Sequence, residues 1–266
     1  MKQFITTIAR EAGELALKHL GTSKISSKGE KNPVTEADKA VEKLIIIKIK
    51  SKFPEHNIIA EESGNNEKKS DFTWFIDPID GTSNYSHGDP NFCISIALAE
   101  KDMLKYACIY IPMLKEMYFA EKGKGAELNN ERIHVSKIKE LDKAFIQMGI
   151  SPYKELIDDS LKFFKHFTLN ADRARDYGFC AGQLAYVAAG RAEALIKKDQ
   201  HAWDVAAGIL LIEEAGGLVT DEHGKKINIQ NLTKSYLVAS NKIIHDNLLE
   251  QIQRVRMKEL KQNFVY

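Results

Sequence analysis

The chain has 266 residues, 44% of them hydrophobic, and a formal net charge of +1. This is enough apolar material for one large domain or two small ones, and the charge balance argues against a basic nucleic-acid-binding or membrane-surface protein. The three cysteines lack Cys-x-x-Cys spacing, which argues against zinc and disulfides and is typical of a cytoplasmic protein. We find no stretch suited to a transmembrane helix or secretory signal.

The first half of the chain is predicted to hold two helices and then a run of strands. The helices are amphipathic; one covers 2–20, the other starts at Thr35 and stops before Pro54, and 22–33 between them is predicted to be a loop. Another polar loop is predicted at 64–71. The predicted strands are 57–60, 72–76, 92–99, 103–111 and 115–120. Short polar connections between the last three favour antiparallel pairing.

After the polar stretch 130–143 the pattern changes to alternating helices and strands, which indicates α/β structure with helices on both sides of a sheet. The predicted helices are 154–166, 181–190, 203–215 and 242–258. The predicted strands are 144–148, 192–196, 217–220 and 236–240. We therefore divide the chain into an N-terminal unit, 1–140, and a C-terminal α/β unit, 141–266.

The most informative stretch is 75–85, where an apolar strand runs into Asp-Pro-Ile-Asp-Gly-Thr. Asp77 and Asp80 would repel each other unless a cation lay between them. The next N–H groups can open a short helix, which is an anion site; they belong to Gly81, Thr82 and Ser83. A cation and an anion at one place indicate a metal-dependent phosphate site, and a simple turn is the alternative.

Three further acidic clusters follow the same logic, each with a structural alternative. Asp38 lies three residues after Thr35, a spacing that also makes a capping box. Glu61 and Glu62 follow a short strand, where a solvated pair of charges is the alternative. Asp204 opens an apolar helix, where the helix dipole alone favours an acid.

Together these motifs resemble the inositol monophosphatase-like family of magnesium-dependent phosphatases. The resemblance runs in order along nearly the whole chain, at Pro33–Asp38, Glu61–Ser63, Asp77–Thr82, Gly123–Gly125, Trp203–Gly208 and Glu214–Gly217. It implies an α/β (α+β layered) fold, an αβαβα sandwich of an N-terminal antiparallel-sheet half and a C-terminal α/β half, and a homodimer. The Asp-x-x-Asp spacing differs from the Asp-x-Asp of enzymes that form an aspartyl-phosphate, so a metal-activated water fits better.

The resemblance also implies a set of metal ligands. One Mg²⁺ would be bound by Glu61, Asp77 and the backbone oxygen of Ile79, and a second by Asp77, Asp80 and Asp204. Glu62 would serve an outer shell or a third, weaker ion. Ligands that are all oxygen suit Mg²⁺ or Mn²⁺.

The remaining implied roles concern water and substrate. Asp38 would hold the Thr82 hydroxyl, and Thr82 and Glu61 would orient the attacking water. The N–H groups of Gly81 and Thr82, with Ser83, would hold phosphate oxygens.

The predicted substrate pocket departs from the inositol phosphatases. Gly178 is kept, but Phe179 replaces a small hydroxyl residue, and Lys197 stands where they place a glutamate. If Lys197 contacts a second phosphate, fructose 1,6-bisphosphate or a 3′(2′),5′-bisphosphate nucleotide becomes a rival to inositol 1-phosphate or a similar polyol phosphate; a solvated lysine is the alternative. Asp176 and Tyr177 before Gly178 resemble the histidinol-phosphate branch.

A function of another class stays open. Some members of the family bind the transcription or translation machinery, so the chain could be a binding or regulatory protein with residual phosphatase activity. The intact ligand set argues against this, because unpaired acids are costly to keep together. We expect a small phosphorylated metabolite as the partner, with no nucleic acid and no membrane.

Overall fold

The computed structural model describes residues 1–22, 25–29, 32–66, 68–151, 153–229, 232 and 235–263. The helices are α1 (Lys2–His19), α2 (Glu36–Lys52), α3 (Thr82–Ser86), α4 (Lys154–Asn170), α5 (Cys180–Ala188), α6 (Ala202–Glu214) and α7 (His245–Asn263). The strands are β1 (Ile25–Gly29), β2 (Asn32–Thr35), β3 (Asn57–Ala60), β4 (Gly64–Asn66), β5 (Phe72–Asp80), β6 (Cys93–Glu100), β7 (Met103–Ile111), β8 (Glu116–Glu121), β9 (Gly125–Leu128), β10 (Glu131–Arg132), β11 (Phe145–Gly149), β12 (Arg173–Arg175), β13 (Ala194–Lys197), β14 (Leu218–Asp221) and β15 (Leu237–Ser240). No helix in these ranges is long and apolar enough to cross a membrane.

Two large sheets organise the chain. The first has eight strands in the order β10-β9-β8-β7-β6-β5-β3-β4, antiparallel except for the β3–β5 pair. The second has five strands in the order β12-β11-β13-β15-β14, with β12, β11 and β13 parallel. The predicted antiparallel pairing of β6, β7 and β8 is confirmed.

The helices form three layers around these sheets. Helices α1 and α2 pack on one face of the first sheet, α5 and α6 lie between the two sheets, and α4 and α7 cover the outer face of the second. The αβαβα sandwich is therefore confirmed. The central apolar cluster takes residues from both sides of position 140, and the division at that position stays a prediction.

Helix α2 shows how local sequence positions the site. Thr35 caps its N-terminus, accepting the N–H of Asp38, while Asp38 accepts the Thr35 N–H at 2.8 Å. Its buried stripe runs through Val41, Ile45 and Ile49 at helical spacing. Two acids, Asp38 and Glu42, are buried in its first two turns beside Ala37 and Val41, and this end of the helix faces the site described below.

Strand β5 contains a bulge at the Asp-Pro-Ile-Asp motif. Asp77 pairs with Ser95 and Asp80 with Cys93, so three steps along β5 match two along β6. In a regular strand residues three apart point to opposite faces. The extra residue rotates the strand and brings Asp77 and Asp80 to one side. Pro78, which cannot donate to a ladder, lies inside this irregularity.

Several short strands were not predicted. The loop prediction for 22–33 is wrong where β1 and β2 pair as an antiparallel hairpin; residues 23–24 and 30–31 lie outside the described chain. The loop prediction for 64–71 is wrong over β4, which pairs with β3. Strands β9, β10 and β12 were missed too. All are short and polar, and lack the apolar alternation that signals a strand.

Candidate active site

The end of β5 makes a sharp turn into α3, and Gly81 is the residue that permits it. Its φ is +89°, a left-handed conformation that glycine adopts without strain. A Cβ at this position would lie 2.7 Å from the carbonyl oxygen of Asn91 and 2.9 Å from Cβ of Phe179. No other residue fits here, so the turn holds the backbone of Thr82 beside the two aspartates.

The predicted pairing of Asp38 with Thr82 is present. The Thr82 hydroxyl lies 3.2 Å from Oδ1 of Asp38 and 3.0 Å from the carbonyl oxygen of Ile79. A hydroxyl has one proton, and both neighbours are acceptors, so the Thr82 oxygen keeps its lone pairs for a water molecule. Oδ2 of Asp38 meanwhile caps α2 through Thr35. The capping role and the role at the site are therefore both filled by one carboxylate.

Asp80 has partners that the sequence did not reveal. Its Oδ1 accepts the N–H of Cys180 at 2.9 Å, and its Oδ2 accepts those of Ala181 at 2.7 Å and Gly182 at 3.3 Å. These are the first three N–H groups of α5, which have no acceptor inside the helix. Asp80 therefore caps a helix that lies a hundred residues further along the chain.

Four carboxylates meet at this point: Glu61, Asp77, Asp80 and Asp204. Asp77 is 2% exposed, and burial first, then the charges of Glu61, Asp80 and Asp204, hold the pKa of Asp77 well above its usual range. Burial also raises the pKa of Asp80 and of Asp204. The carboxylate of Asp204 accepts the His201 N–H at 2.6 Å at the start of α6.

The donor set of this cluster fits a hard divalent cation. Every candidate ligand is an oxygen, which is the preference of Mg²⁺ and Mn²⁺. Burial is the first cause of all three raised pKa values, the neighbouring acids raise the pKa of Asp77 further, and the charge of Lys197 acts in the opposite direction on Asp80 and Asp204. In the described ranges, however, no group of three or more acidic, histidine or cysteine side chains is already arranged to hold a metal ion.

Backbone hydrogen bonds hold Glu61 and Glu62 in place after β3. The Glu61 N–H donates to the carbonyl of Ile76 at 3.2 Å, which extends the β3–β5 pairing. The next N–H, that of Glu62, donates to Oε2 of Glu42 at 2.8 Å. Glu42 lies on α2 and was missed, because nothing in a helical sequence marks which acid turns towards a distant strand end.

The predicted substrate residues lie around the cluster. Gly178 has a φ of +70°, and its N–H donates to Oδ1 of Asp176 at 2.9 Å. Asn84 of α3 was not predicted as a site residue. Its side chain donates to the carbonyl of Tyr177 at 2.7 Å and so joins this loop to α3. Ser83 is exposed on α3.

Lys197 and Phe179, the two departures noted in the sequence, behave differently. Lys197 is partly buried, with its stem against Gly149, where a Cβ would lie 2.4 Å from Cγ of Lys197. Burial acts to lower the pKa of Lys197, but neighbouring negative groups, Asp204 and Asp80 among them, raise it overall. Phe179 is fully buried, with its ring against Gly182 of α5, so it is not accessible to a substrate.

Two of the sequence motifs form a structural contact instead of a chemical site. Glu214 at the end of α6 accepts the N–H of Gly123 at 2.9 Å and that of Gly125 at 2.8 Å, one on each carboxylate oxygen. The turn between β8 and β9 is thereby fastened to the helix that carries Asp204.

Comparisons with known proteins agree with this geometry. The model of the inositol monophosphatase family matches residues 1–257. The chain is 37% identical over 254 residues to a Thermotoga maritima protein named fructose-1,6-bisphosphatase/inositol-1-monophosphatase, covering 95% of each. It is 38% identical over 255 residues to Nus factor SuhB of Pseudomonas aeruginosa, covering 92% of this chain and 93% of the relative. The crystal structure of extragenic suppressor protein suhB from Bartonella henselae superposes with a TM-score of 0.89 at 32% identity, covering 94% of this chain and 97% of that one.

Proposed function

The chain belongs to the inositol monophosphatase family, and from this premise we propose that it is a Mg²⁺-dependent phosphomonoesterase for a small phosphorylated metabolite. That it is a phosphatase follows from the family. Inositol 1-phosphate or a similar polyol phosphate is the first candidate substrate. Fructose 1,6-bisphosphate, a 3′(2′),5′-bisphosphate nucleotide and histidinol phosphate are the alternatives.

One observation carries the proposal: four carboxylates from three parts of the chain interact with one another beside a hydroxyl that Asp38 holds. Glu61 comes from the end of β3, Asp77 and Asp80 from β5, and Asp204 from the start of α6. Negative charge gathered in this way is unfavourable on its own, since burial and then the charges of Glu61, Asp80 and Asp204 raise the pKa of Asp77. A divalent cation relieves that cost.

Side chains of this cluster would hold two or three Mg²⁺ ions, with Glu62 and the Ile79 carbonyl completing the set named above. When bound, the ions supply a water of lowered pKa and stabilise the charge of the leaving oxygen. Thr82 accepts a hydrogen bond from the attacking water, because its own proton is directed to Asp38 or Ile79. The water oxygen would bond to phosphorus as the ester P–O bond breaks, and the proton that this water gives up would go to the leaving oxygen. Gly81, Thr82 and Ser83 would hold phosphate through their N–H groups.

The side chain of Lys197 supports a second anionic group on the substrate. It brings a positive charge to the rim of an acidic cluster, and in the described chain no carboxylate lies within ion-pair distance of its ammonium group. A cation without a fixed partner is free to bind a substrate phosphate. Gly178 lies on the same rim, on the loop that Asn84 holds.

The test is phosphate release, with Mg²⁺ and with a chelator, from inositol 1-phosphate, fructose 1,6-bisphosphate, a 3′,5′-bisphosphate nucleotide and histidinol phosphate. We expect Mg²⁺-dependent release from at least one. Preference for a bisphosphate assigns specificity to Lys197, and preference for inositol 1-phosphate makes Lys197 a bystander. Absence of release from all four contradicts the proposal.

A second candidate is a binding or regulatory role, which the name of the Pseudomonas aeruginosa relative supports. Loss of phosphate release without loss of Mg²⁺-induced stabilisation would favour it.

The homodimer, the cytoplasmic location and the expectation of no nucleic-acid partner belong to the phosphatase proposal. Cys93, Cys108 and Cys180 are free and buried, which supports a reducing compartment. Light scattering tests the dimer.

A further inference from the structure

Helix α2 turns two buried carboxylates towards the site, and only one of them has a role so far. Asp38 is 0% exposed and Glu42 is 4% exposed. Residues four apart on a helix lie on one face, with Cβ atoms about 6 Å apart. Asp38 holds Thr82 at the end of β5. Glu42 lies one turn further on and reaches the end of β3.

Glu42 is not explained by packing. It occupies the stripe that Val41, Ile45 and Ile49 fill with apolar side chains, where a leucine would continue the pattern. In the described chain its carboxylate has one hydrogen-bond donor, the Glu62 N–H, and no cation within ion-pair distance. A buried carboxylate with so few partners is costly. Its position therefore points to a role other than stability.

The bond from Glu62 completes a clamp on Glu61. The peptide group before Glu61 is anchored to β5, since its N–H donates to Ile76 at 3.2 Å. The peptide group after Glu61 is anchored to α2, since its N–H donates to Glu42 at 2.8 Å. Two anchored peptide planes fix φ and ψ of the residue between them.

We propose that Glu42 is a positioning residue that aims the Glu61 carboxylate at Asp77 before an ion arrives. The inference rests on the proposed function, because it takes Glu61 as a metal ligand. A side chain held in its binding direction loses less freedom when the ion binds. Through Glu42 and Asp38, helix α2 would position two parts of the site: Glu61 at the end of β3 and Thr82 at the end of β5.

The experiment compares Glu42→Leu, Glu42→Gln and a control, Ile49→Ala. Leucine keeps the volume and removes the acceptor, whereas glutamine keeps an oxygen that can accept the Glu62 N–H. Ile49→Ala opens a cavity in the same buried stripe of α2, but away from Glu42 and Glu61. Mn²⁺ affinity is measured by electron paramagnetic resonance, which detects free ion directly, and melting temperatures are measured in chelator.

We expect Glu42→Leu to weaken Mn²⁺ binding about 10- to 100-fold, the usual effect of losing an outer-shell partner. Its melting temperature in chelator should equal or exceed that of the wild type, because a poorly compensated buried charge is gone. Glu42→Gln should bind Mn²⁺ like the wild type. Ile49→Ala should melt earlier with unchanged affinity.

The following results would overturn the positioning role of Glu42. Wild-type affinity in Glu42→Leu overturns the positioning role and leaves the proposed phosphatase intact. Equal losses in the leucine and glutamine variants assign the effect to charge and overturn the role of the hydrogen bond. A Glu42→Leu protein that does not fold shows a structural role instead. A wild type that neither binds Mn²⁺ nor releases phosphate overturns both proposals.

Discussion

Oδ2 of Asp80 accepts the N–H of Ala181 at 2.7 Å, and this contact joins the predicted metal site to a helix of the second half. The N–H groups of Cys180 and Gly182 donate to the same carboxylate, which therefore accepts three backbone hydrogen bonds. Asp77, its neighbour in the motif, accepts the N–H of Ile79 at 3.1 Å and interacts with the charges of other acids. The two aspartates therefore differ in what they contribute to stability.

Asp77→Asn and Asp80→Asn should shift the stability of the metal-free protein in opposite directions. Asp77→Asn removes a repelled charge and keeps an acceptor for Ile79, so it should raise the melting temperature; about 1 kcal/mol corresponds to roughly 2–4 °C for a chain of this size. Asp80→Asn turns an NH₂ group towards N–H donors of α5 and should cost about 1–3 kcal/mol.

Differential scanning fluorimetry in chelator checks this pair, with each variant serving as the control of the other. Both variants should lose phosphatase activity. Equal shifts of the same sign would show that the contacts of Asp80 with α5 carry no stability.

Glu214→Gln should destabilise the protein without changing metal affinity. Its carboxylate accepts one N–H on each oxygen, from Gly123 and Gly125, and an amide offers only one oxygen. We expect a loss of about 1–3 kcal/mol in the free energy of unfolding by denaturant. Glu213→Gln, which loses only an exposed pair with Lys122, is the control and should lose less than about 1 kcal/mol. A larger loss in the control would contradict the role of the turn.

His245 should make the protein less stable in mild acid. It is 1% exposed, with Nε2 at 2.8 Å from Oγ1 of Thr220 and Nδ1 at 2.8 Å from Oγ of Ser240. The Thr220 hydroxyl donates to the carbonyl of Asp221, so it accepts from Nε2–H, and Nδ1 stays unprotonated. Burial lowers the pKa of His245 below 6.5, although Asp246 acts in the opposite direction.

Because this pKa is lowered on folding, the unfolded chain binds more protons in mild acid. The contribution of His245 is complete above pH 6.5 and is lost as the pH falls below that value. His245→Gln, which keeps a donor and an acceptor, should flatten the slope of unfolding free energy between pH 7.5 and pH 5.5. Identical slopes in the two proteins would rule out this histidine as the cause.

Lys197→Met should lower kcat/KM for a bisphosphate substrate and leave that for inositol 1-phosphate nearly unchanged. Methionine keeps the apolar stem against Gly149 and removes the charge. Loss of one charge-assisted contact of about 1.5–3 kcal/mol corresponds to roughly a 10- to 100-fold effect. Lys198→Met is the control, since Lys198 pairs with Asp159 at 3.1 Å. Parallel losses on both substrates would make Lys197 a general electrostatic partner of the cluster.

The chemical residues of the site could be predicted because their types and spacing are unusual. Asp77, Asp80 and Thr82 follow one strand, and the bulge that brings the aspartates to one side is signalled by Pro78 between them. The capping box at Thr35 and Asp38 was likewise visible as a local pattern. The long strands and helices followed from their apolar periodicity.

The supporting contacts could not be predicted, because they join residues far apart in sequence. Asp80 reaches α5 across a hundred residues, Asn84 reaches Tyr177 across 93, and Glu42 reaches Glu62 across 20. Each partner is a backbone N–H or C=O group, which leaves no trace in residue identity. The strands β4, β9, β10 and β12 were missed for a similar reason. They are short, and they are defined by pairing with a neighbouring strand and not by an apolar pattern in their own sequence.

The most direct test of the account is phosphate release by the wild type and by Asp77→Asn at saturating Mg²⁺, on the best substrate of the panel. In the proposed ligand set Asp77 would serve two ions, so its loss should reduce turnover by more than about 100-fold, beyond the usual effect of an outer-shell partner. Circular dichroism should show that the variant stays folded. Unchanged turnover in a folded Asp77→Asn protein would contradict the assignment of the carboxylate cluster to metal-dependent catalysis.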